Sequence, residues 1–285
     1  MTMITCQLMG GLGNQLFQIC ATISYSIKHR KKFQFLNVST LGGNGVCTLR
    51  YTYWNSFLKR LTPFLMNSLP PNILVIREKG FQFQELAIPA NNDHAMIVGY
   101  FQSYLYFEPD YYTICKIIGI NQFQQSLLEK INDTDFDSCI SMHFRIGDYK
   151  NIQHVHPVLL SNYYSLSLQK IMQQQPKSAM KSVMYFCEEV DLDEVKEVIH
   201  RLNAEFPQLS FFRVEQSLED WEQLVCMSCC RHNIIANSSF SWWGAYFNSH
   251  KDKIVCYPGT WFGTAVNHNT CDLCPPTWIK INYFA

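Results

Sequence analysis

Strands and helices alternate regularly along the second half of the chain. Short runs rich in apolar residues, typical of buried strands, are separated by longer segments with the periodicity of helices. The predicted strands cover 138–145, 182–187, 209–214, 233–236 and 253–257, and the predicted helices cover 162–174, 192–202, 218–230 and 240–248. Ser161 is the candidate N-cap of the first of these helices. Because strand–helix–strand units place consecutive strands parallel, this alternation predicts a doubly wound α/β sheet.

The first half of the chain opens with the same pattern. It begins with a predicted strand over 3–9, a glycine-rich turn, a helix over 15–28 and a strand over 32–38. The stretch 41–71 carries Gly, Asn, Pro and aromatic residues, and we expect loops and short helices there. The polar segment 132–137 marks the domain boundary, so the sequence predicts two Rossmann-like domains, over 1–135 and 136–285.

Composition argues against several classes of protein. Of the 285 residues, 47% are hydrophobic and 16% are charged, so a sizeable core can be buried. Lys plus Arg equals Asp plus Glu, at 23 each, so we expect no broad nucleic-acid surface, and any anion site must be local. The apolar runs are far shorter than the roughly 20 residues that span a bilayer, and the first residues do not resemble a signal peptide. We therefore expect a soluble, cytoplasmic protein.

Twelve cysteines are spread along the chain. Most lie inside predicted strands and helices, so we expect free buried thiols and not a disulfide framework. The pairs Cys226/Cys229 and Cys271/Cys274 resemble the two halves of a zinc site. About 40 residues separate the two pairs, which is twice the spacing of a zinc ribbon, so structural zinc is not expected.

The first motif that suggests chemistry is GGLGNQ at 10–15, between a predicted strand and a predicted helix. Glycines there let backbone amides approach a ligand closely, and a helix N-terminus favours an anion. A dinucleotide fold would need GxGxxG, but Leu16 stands where the third glycine belongs, and no acidic residue follows the second strand. We therefore expect an anion site without NAD or FAD. The alternative is that the glycines only form a tight turn.

The second motif is HFRIGDY at 143–149, at the carboxyl end of a predicted strand. Ligand sites of parallel α/β sheets lie at that end of the strands. Arg145 presents a planar guanidinium that suits phosphate oxygens, and Asp148 is a carboxylate close by. The alternative interpretation is that Arg145 and Asp148 pair with each other and only cap the strand.

The third motif is NSSFSWWG at 237–244, again between a short strand and a helix. Hydroxyls and free amides at the start of a helix bind phosphate well. Ordinary N-capping by Asn237 or Ser238 is the alternative interpretation. We expect at least one of Trp242 and Trp243 to be a core residue.

Three anion-binding motifs without a Walker lysine indicate a nucleoside diphosphate held without P-loop chemistry. A metal-dependent transferase would use Asp-x-Asp to hold a divalent cation. Asp133/Asp135 precedes a strand instead of following one, and Asp191/Asp193 lies at a helix start, where Asp is favoured anyway. We therefore expect no metal and no cofactor, with Arg145 and backbone amides stabilising the leaving diphosphate.

Three motifs of this chain, in their order and spacing, resemble those of the α-1,2-fucosyltransferases: GGLGNQLFQ, HFRIGDY and NSSFSWWGA. GYFQS at 99–103, the paired tyrosines at 163–164 and WIKI at 278–281 are similar to the same family, so the resemblance covers nearly the whole chain. It implies a GT-B-like fold, in which two Rossmann-like domains with parallel sheets face each other. It also implies an inverting, metal-independent transfer of L-fucose from GDP-fucose to a galactose hydroxyl, with an α-1,2 linkage.

The resemblance also implies where the donor binds. Arg145 holds the diphosphate, and His143 lies beside it near the nucleotide. The remaining donor-binding residues are Ser238, Ser239 and Phe240 over the phosphates, Gly11, Leu12, Gly13 and Asn14 in the N-terminal, acceptor-side domain, and Glu188 at guanine or ribose. Two positions depart from the family pattern, because Ile146 replaces a second arginine and CEE at 187–189 replaces Ser-Asp-Asp.

Inversion requires an acceptor hydroxyl that attacks opposite the leaving diphosphate, through an oxocarbenium-like transition state. Arg145 is the candidate that neutralises the departing phosphate, Asp148 is the candidate base, and His143 is an alternative base. The expected partners are GDP-fucose and a galactose-terminated glycan, with no nucleic acid and no membrane span. The alternatives are a transferase of the same fold with a different nucleotide deoxysugar, which Ile146 leaves open, and a catalytically inactive glycan-binding protein.

Overall fold

The computed structural model describes residues 2–42, 48–89, 93–175 and 179–283, and the chain divides into two compact units. The first unit comprises Met1–Gln122 and His268–Pro275, and the second comprises Phe123–Asn267 and Pro276–Ala285. The first unit contains strands β1 (Met3–Cys6), β2 (Lys32–Phe33), β3 (Phe35–Leu36), β4 (Thr40–Leu41), β5 (Arg50–Tyr51), β6 (Leu65–Met66), β7 (Leu74–Arg77) and β8 (His94–Val98), and helices α1 (Leu12–Lys28) and α2 (Tyr111–Ile118). The boundary between the two units falls within helix α3 (Ile120–Lys130), after Gln122. The second unit contains β9 (Cys139–His143), β10 (Ser182–Phe186), β11 (Ser210–Arg213), β12 (His232–Ile234), β13 (Val255–Pro258) and β14 (Ile279–Ile281), and helices α4 (Ser161–Gln174), α5 (Leu192–Glu205), α6 (Asp220–Cys229) and α7 (Ser239–Phe247).

The boundary between the units lies earlier than the sequence predicts. The polar segment 132–137 falls inside the second unit, and the change occurs within α3 instead of after residue 135. The reason is that α3 beyond Gln122 belongs with the second unit. The Gln124 amide donates to the Ser228 hydroxyl at 2.9 Å and to the Phe247 carbonyl at 3.1 Å, which fixes this part of the helix there.

Four parallel strands form the main sheet of the first unit, in the order β2-β1-β8-β7. α1 follows β1, packs against it and is buried along most of its length. The late segment His268–Pro275 joins this unit through Asp272. The Asp272 carboxylate accepts from the Phe83 N–H at 2.7 Å, and its carbonyl accepts from the Ser103 hydroxyl at 3.0 Å.

The single strand expected over 32–38 is two short strands in different sheets. β2 pairs with β1, whereas β3 pairs with β6, and a separate antiparallel pair is formed by β4 and β5. The chain leaves the main sheet because the Phe35 side chain is fully buried against the Trp54 ring, whose centre is 5.8 Å away. In the stretch 41–71, residues 43–47 lie outside the described residues, and a short 3₁₀ helix covers Lys59–Phe64.

Six parallel strands form the sheet of the second unit, in the order β11-β10-β9-β12-β13-β14. Every strand and helix predicted for this half is present, although β14 was not predicted. The predicted α/β class, with two units that each contain a parallel sheet, is confirmed. Ser161 is not the N-cap of α4: it is the first helical residue, and Leu160 precedes it without a side-chain cap.

The core of the second unit surrounds β9, whose five residues are all buried. Throughout the described ranges, the eleven cysteines present are free thiols and most are buried, as predicted, while Cys47 lies outside those ranges. No helix in the described part of the chain is both long enough and apolar enough to cross a membrane.

We expect Tyr163→Phe to destabilise the protein more than the matched control Tyr164→Phe. Both side chains of α4 are buried, but the Tyr163 hydroxyl lies 2.5 Å from the Ile235 carbonyl and 3.1 Å from the Cys256 carbonyl. The Tyr164 hydroxyl makes one long contact, 3.4 Å to the His143 carbonyl. Because buried acceptors lose their donor, the free energy of unfolding should fall by about 1–2 kcal/mol for Tyr163→Phe and by less for Tyr164→Phe. Urea unfolding measures both values, and equal losses would contradict this account.

Candidate functional site

The carboxyl ends of β9, β10 and β12 lie side by side in the second unit. These strands are neighbours and parallel, so the residues that follow them share one edge of the sheet. Just beyond β9, the Phe144 N–H donates to the Phe186 carbonyl of β10 at 2.8 Å, which extends the pairing by one residue. Arg145 then follows β9, Glu188 follows β10, and Asn237 leads from β12 toward α7.

Arg145 lies between two carboxylates. One terminal nitrogen of its guanidinium lies 2.5 Å from the Asp148 carboxylate, and the other forms a shorter ion pair with Glu188. The Arg145 side chain is 20% exposed, whereas each carboxylate side chain is 52% exposed, so the anions lie toward solvent. The Tyr149 ring lies on the guanidinium, 5.1 Å from its central carbon. We call Arg145, Asp148 and Glu188 the charged cluster.

The charged cluster confirms the pairing of Arg145 with Asp148 that the sequence offers as an alternative, and adds Glu188 to it. Both terminal guanidinium nitrogens already contact carboxylates. An incoming anion that uses those nitrogens must therefore replace at least one carboxylate. The pairing does not exclude anion binding, because exposed ion pairs contribute little to stability and exchange readily.

A buried aspartate fixes the loop that follows β9. The Asp191 carboxylate, 2% exposed, accepts from the Gly147 N–H at 2.7 Å and pairs with Lys150 at 3.3 Å. Gly147 has φ +28°, and a Cβ there would lie 3.1 Å from the Glu188 carboxylate, so a side chain at this position would crowd the charged cluster. Asp191 therefore orders the loop, while Asp193 of the same Asp-x-Asp pair faces solvent. Within the described ranges, no group of three or more His, Cys, Asp or Glu side chains is placed to hold a metal ion.

His143, the last residue of β9, is buried beside Arg145. Burial, together with the positive charge of Arg145, lowers the pKa of the imidazole to about 3, so the ring is neutral near pH 7. The Phe240 ring packs 5.7 Å away, and Nδ1 of His143 has no hydrogen-bond partner among the described residues. A group with so low a pKa accepts a proton poorly, which suits His143 to contact a ligand and not to act as a base.

The turn from β12 into α7 is held by hydrogen bonds. Ser238 is the N-cap of α7, and its hydroxyl accepts from the Phe240 N–H at 3.3 Å, which confirms the capping interpretation. The Asn237 side-chain amide donates to two backbone carbonyls, at 3.0 and 3.2 Å, and the Asn237 backbone carbonyl accepts from the Tyr149 hydroxyl at 3.1 Å. Ser239 and Phe240, in the first turn of α7, are partly exposed, so their surfaces are open to a ligand.

Three residues of the motifs are core residues of the second unit. Trp242 and Trp243 are both fully buried, where the sequence predicts at least one of them to be so. Ile146 is also buried and belongs to the cluster around β9. The side chain at position 146, where the family pattern has a second arginine, therefore packs in the core and lies outside the charged cluster.

The glycine-rich turn of the first unit is closely packed at one end and open at the other. Gly10 has φ +76°, and a Cβ there would lie 2.5 Å from the Asn14 amide nitrogen, so glycine is required. The Asn14 side-chain oxygen accepts from the Gln102 amide at 2.8 Å. α1 begins at Leu12, earlier than the predicted residue 15, and Gly11 is its N-cap without a side-chain hydrogen bond. A Cβ on Gly11 would meet nothing within 4 Å in the described structure, which leaves the helix start accessible.

The predicted site residues form two sets. The second unit brings together His143, Arg145, Asp148, Glu188, Ser238, Ser239 and Phe240, and the first unit groups Gly11, Leu12, Gly13 and Asn14, of which Leu12 and Gly13 are buried. The structure adds Tyr149, Asp191 and Gln102, whose supporting contacts the sequence analysis missed. Tyr149 lies in the HFRIGDY motif and Gln102 lies in GYFQS, so membership of a motif could have indicated both residues. No local pattern in the sequence indicates that Asp191 accepts from the Gly147 N–H.

Comparisons with known proteins give matches to a family model, to two sequence relatives and to a solved structure. The sequence model of glycosyl transferase family 11 matches residues 74–282. An alpha-1,2-colitosyltransferase of Escherichia coli is 26% identical over 305 residues, covering 99% of each chain. The O-antigen biosynthesis glycosyltransferase WbnK of Escherichia coli is 26% identical over 328 residues, covering 98% of this chain and 100% of the relative. A solved glycosyl transferase family 9 structure from Veillonella parvula DSM 2008 has a TM-score of 0.49 at 8% identity, covering 99% of this chain and 86% of that chain.

We expect the burial of His143 to make the protein less stable as the pH falls. The pKa of His143 is lowered from 6.5 to about 3 in the folded state. Between these two pH values the unfolded chain binds a proton at this imidazole and the folded chain does not. This contribution is complete above pH 6.5 and is lost as the pH falls toward 3. Between pH 7 and pH 5 it amounts to about 2 kcal/mol, which should be missing from the pH dependence of His143→Gln.

Urea unfolding at pH 7 and pH 5 of the wild type and the variant measures this difference. His232, whose pKa burial lowers to about 4, remains in both proteins and accounts for part of the pH dependence left in the variant. The same loss of stability in both proteins would show that His143 is not buried in its neutral form.

Proposed function

The chain belongs to glycosyl transferase family 11, and from that premise we propose that it transfers L-fucose from GDP-fucose to a galactose hydroxyl. Membership of the family implies a nucleotide-sugar donor and a glycan acceptor. The proposed linkage is α-1,2, formed with inversion and without a metal. The observation that carries the proposal is the position of Arg145 at the carboxyl end of β9, where parallel α/β sheets bind their ligands.

Arg145 is the residue proposed to bind the diphosphate of the donor. Its guanidinium stays charged and can form paired hydrogen bonds to phosphate oxygens. In the free protein the carboxylates of Asp148 and Glu188 satisfy it, so donor binding exchanges one anion for another. The first turn of α7, at Ser239 and Phe240, supports the same role because a helix start favours an anion.

Asp148 is the residue proposed to accept the proton. The acceptor hydroxyl oxygen forms a bond to the anomeric carbon of fucose while the bond from that carbon to the diphosphate breaks. GDP leaves with the electron pair of the broken bond, and the hydroxyl proton passes to the Asp148 carboxylate. When phosphate takes the place of Asp148 on Arg145, the released carboxylate is free to contact the acceptor hydroxyl. His143, with a pKa of about 3, is the weaker candidate base.

The other proposed contacts rest on the sequence motifs. Gly11, Leu12, Gly13 and Asn14 are proposed to bind the donor, chiefly through backbone amides at the accessible start of α1. Glu188 is proposed to contact guanine or ribose once it separates from Arg145. Each of these roles predicts weaker donor binding on substitution, with the acceptor KM unchanged.

Transfer of a different deoxysugar is the second candidate. The observation that favours it is the alpha-1,2-colitosyltransferase of Escherichia coli, which is 26% identical to this chain along 99% of its length. Colitose and L-fucose are both deoxysugars, so a site that holds a nucleoside diphosphate would serve either donor. The choice between them depends on the pocket for the sugar itself.

We expect GDP release from GDP-fucose that is stimulated by lactose or N-acetyllactosamine and unchanged by excess EDTA. The measurement is coupled detection of GDP, run in parallel with GDP-colitose at equal concentration. Faster release from GDP-colitose would favour the second candidate, and dependence on an added divalent cation would contradict the metal-free mechanism. Absence of release from both donors would contradict both candidates.

We expect Arg145→Ala to fold normally and to lower kcat/KM by at least about a hundredfold, because the departing diphosphate loses its cation. Arg213→Ala is the matched control, since Arg213 also ends a strand of the same sheet and pairs with Glu189 at 2.6 Å. Asp148→Asn should lower kcat while GDP still binds. Near-normal turnover by Arg145→Ala would refute the assignment, as would an equal loss in Arg213→Ala.

A further inference from the structure

The main sheet of the first unit brings three segments together at the carboxyl ends of its strands. β8 lies between β1 and β7, and all three strands are parallel, so the residues that follow them share one edge of the sheet. The glycine-rich turn that leads to Asn14 follows β1, residues 99–103 follow β8, and Glu78 follows β7 directly. Residues 99–103 therefore lie between Glu78 on one side and the glycine-rich turn on the other.

Glu78 binds the backbone of the segment beside it. Its own backbone N–H donates to the Val98 carbonyl at 2.9 Å, which continues the pairing of β7 with β8. The Glu78 carboxylate accepts from the Tyr100 N–H at 2.8 Å, and the Phe101 N–H lies 3.1 Å from both carboxylate oxygens. The Tyr106 hydroxyl also donates to this carboxylate. Three donors therefore converge on Glu78, and two of them are consecutive backbone amides.

The backbone that Glu78 binds is strained. Phe101 has φ +52°, in the left-handed region that residues other than glycine rarely adopt. The Phe101 ring is fully buried and lies edge-on to the Tyr106 ring, with 5.2 Å between the ring centres. A Cβ on Gly99 would lie 2.4 Å from the Glu78 side chain, so this close approach requires glycine. The buried ring and the Glu78 carboxylate together hold the loop in its conformation.

Gln102 connects this loop to the glycine-rich turn. It follows Phe101, and its side-chain amide donates to the Asn14 side-chain oxygen at 2.8 Å. Because an amide carries its oxygen and its NH2 group on the same carbon, this hydrogen bond fixes the direction in which each group points. The Asn14 nitrogen lies over Gly10, 2.5 Å from the position that a Cβ would take there. Asn14 thus presents a hydrogen-bond donor at the turn, as an anion requires.

We propose that Glu78 is a positioning residue for the binding of a nucleoside diphosphate, and that it acts through Gln102 on Asn14. Glu78 holds the strained backbone beside Gln102, and Gln102 orients the Asn14 amide with its donor group at the glycine-rich turn. Glu78 itself does not touch the ligand. The proposal rests on the proposed function, in which Asn14 binds the donor, and it adds a residue that lies outside every motif of the sequence.

The experiment is a double-mutant cycle on the full chain, with GDP affinity measured by isothermal titration. Glu78→Gln preserves the size of the side chain but leaves one acceptor oxygen for two backbone amides, so the loop should loosen. We expect Glu78→Gln to weaken GDP binding about fivefold and Asn14→Ala to weaken it about tenfold. Adding Glu78→Gln to Asn14→Ala should cost less than about twofold more, because residues that act through one contact are not additive.

Two further variants make the test specific. Gln102→Leu retains Glu78 and removes the donor to Asn14, so it should weaken GDP binding about as much as Glu78→Gln does. Glu85→Gln is the matched control, since Glu85 is an exposed carboxylate of the same unit that pairs with Lys28. This control should leave GDP affinity unchanged.

Hydrogen exchange and kinetics separate positioning from a general loss of structure. In Glu78→Gln, the amides of residues 99–103 should exchange faster while those of α1 remain protected, which shows that the variant is folded. In the transfer assay, the KM for GDP-fucose should rise while kcat and the acceptor KM stay near their wild-type values. Equal losses in all three kinetic constants would indicate a merely structural role and overturn the proposal.

Three binding results would also overturn it: wild-type GDP affinity in Glu78→Gln, wild-type GDP affinity in Gln102→Leu, and additive losses in the double variant. Failure of the proposed function looks different. A protein that binds GDP with this coupling but releases no GDP from GDP-fucose keeps Glu78 as a positioning residue and loses the fucosyl transfer. A wild-type protein that binds no GDP would overturn both, because Asn14 would then have no diphosphate to hold.

Discussion

Parallel pairing of β9 with β10 and β12 is the constraint on which the charged cluster depends. Each strand delivers the residues that follow it to the same edge of the sheet, so side chains far apart in sequence meet there. The register pairs His143 with Phe186, which places Arg145 within reach of Glu188. A shift of one residue between β9 and β10 would turn each side chain to the other face and separate the pair.

The cation at this edge is paired before any ligand binds. Arg145 is neutralised by two exposed carboxylates, while its neighbour His143 remains uncharged because burial and the arginine oppose its protonation. The loop geometry is held separately, by the buried Asp191. Because Asp191 fixes the backbone of the loop after β9, the carboxylates of Asp148 and Glu188 can change partners without a change in the loop.

The two units present different chemistry. The second unit concentrates charge around one arginine, which lies between two carboxylates. In the first unit, the residues that line a cavity of about 500 Å³ at the ends of β3 and β6 are uncharged, and most of them are exposed.

By itself, the sequence determined the α/β class, the strands and helices of the second half, and the motifs at the strand ends, because periodicity and glycine-rich turns are local signals. Only the tertiary structure decided the division within α3, the separation of β2 from β3 and the burial of Ile146. It also decided that Glu188 shares Arg145 with Asp148 and that Asn37 lies beside Asn67. These features depend on which distant segments pack together, and that is settled by side-chain burial and strand register across the whole unit rather than by any local pattern.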